Sequence, residues 1–152
     1  MMEKSDILSQ IRSARKAHIS WVQRAKALVA GVDFDKEQIP VDATSCKFGS
    51  WFYEEGVRLN TLPGFEIMKE IEQLHFQLHE EYLKIFQIYF GKKESFLSKI
   101  FRFTRKKITD EEKKQAQIVL EDLEKTSQKL LDQLALLERR VEALQESVFE
   151  AL

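Results

Sequence analysis

The 152-residue chain is poor in the residues that punctuate or cross-link a fold, with one cysteine, two prolines and five glycines. A single cysteine excludes an intrachain disulfide, and a lone thiol is a liability under oxidising conditions, so a reducing cytoplasm is expected. No stretch approaches the ~18 consecutive apolar residues of a membrane span. The opening segment, MMEKSDILSQIRSARK, has acidic and polar residues where a signal peptide needs an apolar run, so a soluble, unprocessed protein is expected. An excess of one charge is missing too. The formal net charge of −1 gives no whole-molecule field favouring nucleic acid or anionic lipid, so either would have to bind a local patch. The scarcity of Gly and Pro, with Leu, Glu, Lys, Gln and Ala filling long segments, leaves strands nowhere to go and predicts an all-α fold. With 43% apolar residues the chain can bury a core as one domain spanning residues 1–152.

Apolar periodicity sets the expected order of helices. Leu8, Ile11, Ala14, Trp21, Val22, Ala25 and Leu28 recur at spacings of three and four, which predicts a first helix from after Ser5 to about Ala30, ended by Gly31. A turn-rich connection, VDFDKEQIPVDATS, follows with Pro40 and candidate caps at Thr44 and Ser45. CKFGSWFYEE then reads as a short helix stopping at Gly56. Pro63, taken as a first helical position, opens a second long helix through Phe65, Met68, Ile71, Leu74, His75, Leu78, Tyr82, Ile85 and Tyr89, closing at Gly91. Residues 5–91 are thus the expected bundle core.

A basic linker occupies 92–108. Its segment KKESFLSKIFRFTRKK sets seven Lys or Arg against one Glu, a local charge of +6. If helical, Phe96, Leu97, Ile100, Phe101 and Phe103 cluster against Lys99, Arg102, Lys106 and Lys107. That pattern is compatible with lipid headgroups, but it reads first as a lid on the end of the bundle whose basic residues face water. Thr109 and Glu112 form a T-x-x-E capping box that starts a last helix over 109–150. Along it Ala116, Leu120, Leu123, Ser127, Leu130, Leu134, Leu137, Val141, Leu144 and Val148 form a heptad seam. A ~40-residue helix would be ~60 Å long against ~40 Å for its neighbours, so its excess is expected to project as a coiled coil or pair with another chain, giving a homodimer through the bundle or this coiled coil, or a contact with a partner protein.

All three histidines and the cysteine fall on faces turned toward one interior. His75 and His79 are four apart on one helix face, the spacing at which two imidazoles can grip one metal. His18 lies on the apolar face of the first helix, and Cys46 opens the short helix, where helix-terminal amides favour a thiolate. Taken singly, each reads as an ordinary core residue: a chance histidine pair, a hydrogen-bonded histidine, a small buried hydrophobe. Taken together, a His3Cys set matches Zn2+. Trp21 and Trp51 read as large anchors walling the site, Phe48 and Phe52 as core contacts, and Gly49 as a point where a neighbouring backbone can approach closely.

The surrounding motifs narrow this. His18-Ile-Ser-Trp21 is HxxW, Cys46-Lys-Phe-Gly-Ser-Trp51 is CxFGxW, and His75 to His79 is HxxxH. With these the chain resembles the chemoreceptor zinc-binding (CZB) family over roughly Ser5 to Tyr89. The resemblance implies a four-helix bundle with an extra short helix carrying the cysteine. It also implies zinc ligation by His18, Cys46, His75 and His79, and a role in bacterial signalling through chemoreceptors or diguanylate cyclases. The basic segment and the length of the last helix depart from the family pattern.

Four protein ligands leave zinc no open position for water or substrate, no histidine remains for a Ser-His or Cys-His pair, and no P-loop or Gly-rich nucleotide fingerprint is present, so no enzyme is expected. The other carboxylates read as solvated helix surface, and nucleic acid is not an expected partner. Two readings stay open. One is a sensor in which zinc occupancy or Cys46 oxidation resets the short helix for a signalling partner; the other is a structural-zinc coiled-coil adaptor. A hemerythrin-like di-iron centre would need more histidines and no cysteine.

Overall fold

The computed structural model describes residues 2–32, 46–91 and 108–152. Helix α1 spans Lys4–Val29, the short helix α2 spans Lys47–Glu54, and a 3₁₀ segment follows at Gly56–Thr61. Helix α3 spans Ile67–Phe90, α4 spans Asp110–Ala143, and a five-residue helix α5 closes the chain at Glu146–Glu150. The described residues contain no strand, as an all-α fold requires. Three of the helices are long. The connection carrying Pro40, Thr44 and Ser45 and the basic segment 92–107 lie outside the described residues, as does any membrane contact by that segment. Among the described residues, no helix is long and apolar enough to cross a membrane.

Local chemistry places the helix ends. After α1, Gly31 takes φ +100°, its N–H donates to the Leu28 carbonyl, and Val32 N–H donates to the Ala27 carbonyl. This pair of reversed bonds is a Schellman cap, which needs a residue that tolerates positive φ at its centre. At the start of α4, Thr109 Oγ1 accepts Glu112 N–H at 3.1 Å while Glu112 returns a carboxylate oxygen to Thr109 N–H at 3.2 Å, so the capping box forms as read. Pro63 corrects the expectation: it is not the first residue of α3. Phe65 N–H donates to the Leu62 carbonyl and Gly64 has φ +86°, so Pro63 and Gly64 are the central pair of a turn and the helix begins at Ile67.

α4 runs antiparallel to both α1 and α3. Lys26 of α1 pairs with Glu124, while Arg12 and Arg15 reach Glu138 further along α4. On α3, Glu81 meets Thr126, and Gly64 before the helix meets Arg140. α1 and α3 are therefore parallel, with Tyr89 Oη donating to the Val29 carbonyl at the shared end. Apolar stripes close this arrangement: Ile7, Ile11, Ala14, Val22, Ala25 and Leu28 from α1 and Met68, Ile71, Leu78 and Ile85 from α3 are all buried.

The last helix differs from its expected form. It has 34 residues, or ~51 Å, and stops at Ala143. Its seam is covered within the chain: Leu123, Leu130, Leu134, Leu137 and Val141 have no exposure. The seam is thus core of this chain, and not a bare coiled-coil stripe projecting toward a second copy. The stop has a tertiary cause. Lys4 Nζ donates to the carbonyls of Glu142 and Leu144, Lys4 N–H donates to a Glu146 carboxylate oxygen, and Phe149 is fully buried. An ammonium at a helix C-terminus satisfies carbonyls left without intrahelical partners and opposes the negative end of the dipole.

Candidate metal centre

The three parallel and flanking elements α1, α2 and α3 bring one chemistry-bearing group or pair each to a common point. On α1, His18 sits one turn beyond Ala14 on the buried stripe, and its ring is fully enclosed. His18 Nδ1 donates to the Ala14 carbonyl at 2.5 Å, which fixes the tautomer and leaves Nε2 as a bare acceptor aimed inward. That Nε2 is buried and has no hydrogen-bond partner among the described residues. A buried polar atom without a partner is costly, and it marks a position where another group belongs.

Cys46 is the N-cap of α2. Its extended backbone (φ −74°, ψ 155°) starts the helix and its Sγ accepts Gly49 N–H at 3.2 Å. An amide donor at a helix N-terminus lowers the cost of the thiolate. Gly49 is buried, and its assigned part in the site is this N–H. On α3, His75 and His79 stand one turn apart and meet edge-on with ring centroids 4.6 Å from each other. His75 Nε2 lies 3.3 Å from Cys46 Sγ and 3.1 Å from His79 Nε2.

The structure thus brings together all four residues singled out from the sequence. All are buried, and one candidate donor atom from each lies within 4.8 Å of every other. Zinc bonds of about 2.0–2.1 Å to nitrogen and 2.3 Å to sulfur imply tetrahedral edges of roughly 3.4 Å between nitrogens and 3.6 Å between nitrogen and sulfur. The observed 3.1 and 3.3 Å contacts fall within a few tenths of an ångström of those edges. With the orphaned His18 Nε2, the chemistry of the donor set fits a zinc ion, and the remaining donor separations all lie within 4.8 Å.

The electrostatics keep the imidazoles in the form that ligates. Burial pushes His18 down to about 4 from the ordinary 6.5, a fall that the Ala14 hydrogen bond opposes and His79 reinforces. Burial, with His18 and His79 adding to it, lowers His75 to about 2. Both are therefore neutral at physiological pH, with lone pairs free of protons.

Aromatic rings enclose the group. Trp21 meets His18 edge-on at 4.6 Å and His79 at 5.0 Å, and Phe48 meets His75 at 5.0 Å and His18 at 5.8 Å. Trp51 stands behind Phe48 at 5.9 Å and lies over Gly56, where an added Cβ would meet its ring carbon at 3.2 Å. Phe52 is buried and packs on the other side of Phe48 at 5.8 Å. Ring-lined walls exclude water and raise the strength of any charge interaction inside.

One polar residue near the centre departs from its sequence reading. Glu81, taken with the other carboxylates as solvated surface, is 6% exposed and accepts Thr126 Oγ1–H at 2.9 Å across the α3–α4 interface. No local pattern marks it, because a Glu in a helix reads the same whether a neighbouring helix covers it or not.

Comparison with known proteins agrees with the motifs. Residues 18–86 match the family model of the chemoreceptor zinc-binding domain, a stretch that opens on His18 and holds all four candidate ligands. The resemblance drawn from HxxW, CxFGxW and HxxxH therefore holds over that stretch, and with it zinc as the metal. No curated protein and no solved structure matches the chain.

Proposed function

We propose that this chain is a non-enzymatic regulatory module of bacterial signal transduction that binds one zinc ion reversibly through His18 Nε2, Cys46 Sγ, His75 and His79. On this reading, occupancy sets where α2 sits. The observation that carries the proposal is the buried His18 Nε2, without a hydrogen-bond partner among the described residues, clustered with three further donors all within 4.8 Å of one another. Bound there, zinc would tie three separate elements together and stabilise the Cys46 thiolate.

The chain's own residues suggest how occupancy becomes a signal. Two ligands stand on α3 and one on α1, helices held by extensive apolar packing, whereas Cys46 stands on a helix of only eight residues. The short element is the one with least packing to hold it once its thiolate is released. Tyr53 of α2 donates to a Glu72 carboxylate oxygen at 3.0 Å and touches Phe76, so movement of α2 also alters the exposed face of α3. Cys46 is 1% exposed, which shields the sulfur from oxidants while α2 is docked. Occupancy is therefore the favoured input, and oxidation of the sulfur by a peroxide-class reagent would follow opening of α2.

Four protein donors fill a tetrahedral zinc and leave no position for a reacting water, which argues for regulation over hydrolysis. A sensor must also survive without its ligand. The apolar stripes of α1, α3 and α4 close on one another away from the metal, so the bundle should remain folded when zinc is removed. The test is chelation followed by circular dichroism. Retained helicity with near-ultraviolet changes that reverse on adding zinc is expected; loss of the helical signal on chelation would make the zinc structural and the chain an adaptor.

A further inference from the structure

We propose that Thr126, on the one long helix that supplies no candidate ligand, is a positioning residue for the metal centre, acting through Glu81. This rests on the zinc-centre reading above and extends it to α4.

The sequence of α3 carries two pairs four residues apart, offset by two: His75 with His79, and Gln77 with Glu81. An offset of two residues is about 200° around a helix, so the pairs occupy opposite faces. The histidines face α1 and α2, and Glu81 faces α4. There Glu81 Oε1 accepts two donors, Thr126 Oγ1–H at 2.9 Å and Gln77 Nε2–H at 2.9 Å, while Gln77 also reaches Thr126 Oγ1 at 3.2 Å. Glu81 and Thr126 are 6% and 3% exposed. The other carboxyl oxygen of Glu81 is buried with no partner among the described residues, so the Oε1 bonds are the ones seen to stabilise this group.

Contacts among Leu and Ile side chains hold α3 against α4 but are non-directional, so they fix its rotation and axial position less sharply than a directional bond does. A buried carboxyl bonded to one hydroxyl is directional. It selects one rotation and one axial position of α3 against α4, the register role best attested for buried polar groups. By contrast the ion pairs from α4 to α1 have exposed cations, Arg12 at 52% and Lys26 at 54%, so solvent weakens what they select. Holding α3 by Glu81 fixes the direction in which the opposite face presents the two histidines. His75 Nε2 meets Cys46 Sγ at the start of α2 at 3.3 Å, and the His75 and His79 rings stand 5.1 and 6.1 Å from the His18 ring of α1, so a small rotation of α3 would disturb its donors' separations from both neighbours together.

The experiment uses cobalt(II) as a spectroscopic probe of the full chain, with Thr126→Val, Thr126→Ser and Ser127→Ala compared with the parent. Valine keeps the shape of threonine and removes the hydroxyl; serine keeps the hydroxyl; Ser127 is the adjacent buried hydroxyl on the same helix. Thr126→Val should weaken cobalt binding by about threefold to tenfold, at or below the loss seen when a ligand's own hydrogen-bond partner is removed, and should shift the ligand-field bands. Thr126→Ser should restore both, and Ser127→Ala should change neither. Parent-like affinity and spectrum in Thr126→Val would overturn the proposal. So would equal losses in Thr126→Ser or Ser127→Ala, which would mean general loosening of α4. A parent that takes up no cobalt would refute the metal centre itself, an outcome distinct from an unchanged variant beside a metal-binding parent.

Discussion

Without metal, the bundle should lose stability between pH 7 and pH 5, and the loss should come from the metal centre alone. All three histidines of the chain are at this site, so no other imidazole titrates in that window. The sign follows from the folded pKa lying below the unfolded one. At pH 7 His18 is neutral in both states. As pH falls through 6.5 the unfolded chain takes up a proton that the folded chain, with His18 at about 4, refuses. Each pH unit in that interval removes about 1.4 kcal/mol per such group, and the loss for His18 levels off once pH passes its folded value. At pH 5 the gap is 1.5 units, or about 2 kcal/mol from His18 and a similar amount from His75, whose folded value is lower still. About 4 kcal/mol is a large share of the roughly 5–15 kcal/mol that holds a domain folded. Glu138, held down by Arg12 from an ordinary value of 4.5, titrates below this range. Urea denaturation of chelated protein at pH 7, 6 and 5 measures the effect, and saturating zinc should shift the loss to lower pH by stabilising the folded state. Unfolding free energies equal to within 1 kcal/mol at pH 7 and pH 5 would refute the reasoning.

Three further substitutions probe the frame around the site. Leu130→Ala, at a seam position with no exposure, should cost about 2–5 kcal/mol in urea denaturation, because the seam is core within one chain. Thr109→Ala removes the side-chain half of the capping box and should cost about 1 kcal/mol, with the loss of exchange protection confined to the first turn of α4. Gly56→Ala brings a Cβ to 3.2 Å from the Trp51 ring, so a shift in tryptophan emission with a modest drop in melting temperature is expected.

The site was more legible in the sequence than the architecture around it. Ligand chemistry is written in residue identity, and HxxW, CxFGxW and HxxxH fix spacing on faces whose direction follows from the helical repeat. His18, Cys46, His75 and His79 could therefore be assembled on the page, as could the Thr109 capping box and the Gly31 stop. Other features depend on contacts distant in sequence. Periodicity identifies the seam of α4 but cannot say whether its partner is another chain or α1 and α3, and here it is the latter. The stop at Ala143 is made by Lys4, at the opposite end of the chain. Glu81 looks like any surface glutamate until α4 covers it. Pro63 was misplaced because proline fits both a first helical turn and the second position of a tight turn, and the glycine after it decides for the turn.

Metal content by elemental analysis, on protein purified without a metal-affinity tag, tests the central claim most directly. About one zinc per chain is expected in the parent, with marked loss in both Cys46→Ala and His79→Ala. A parent that holds no zinc after exposure to zinc and removal of excess, or variants that retain it in full, would contradict the four-residue centre.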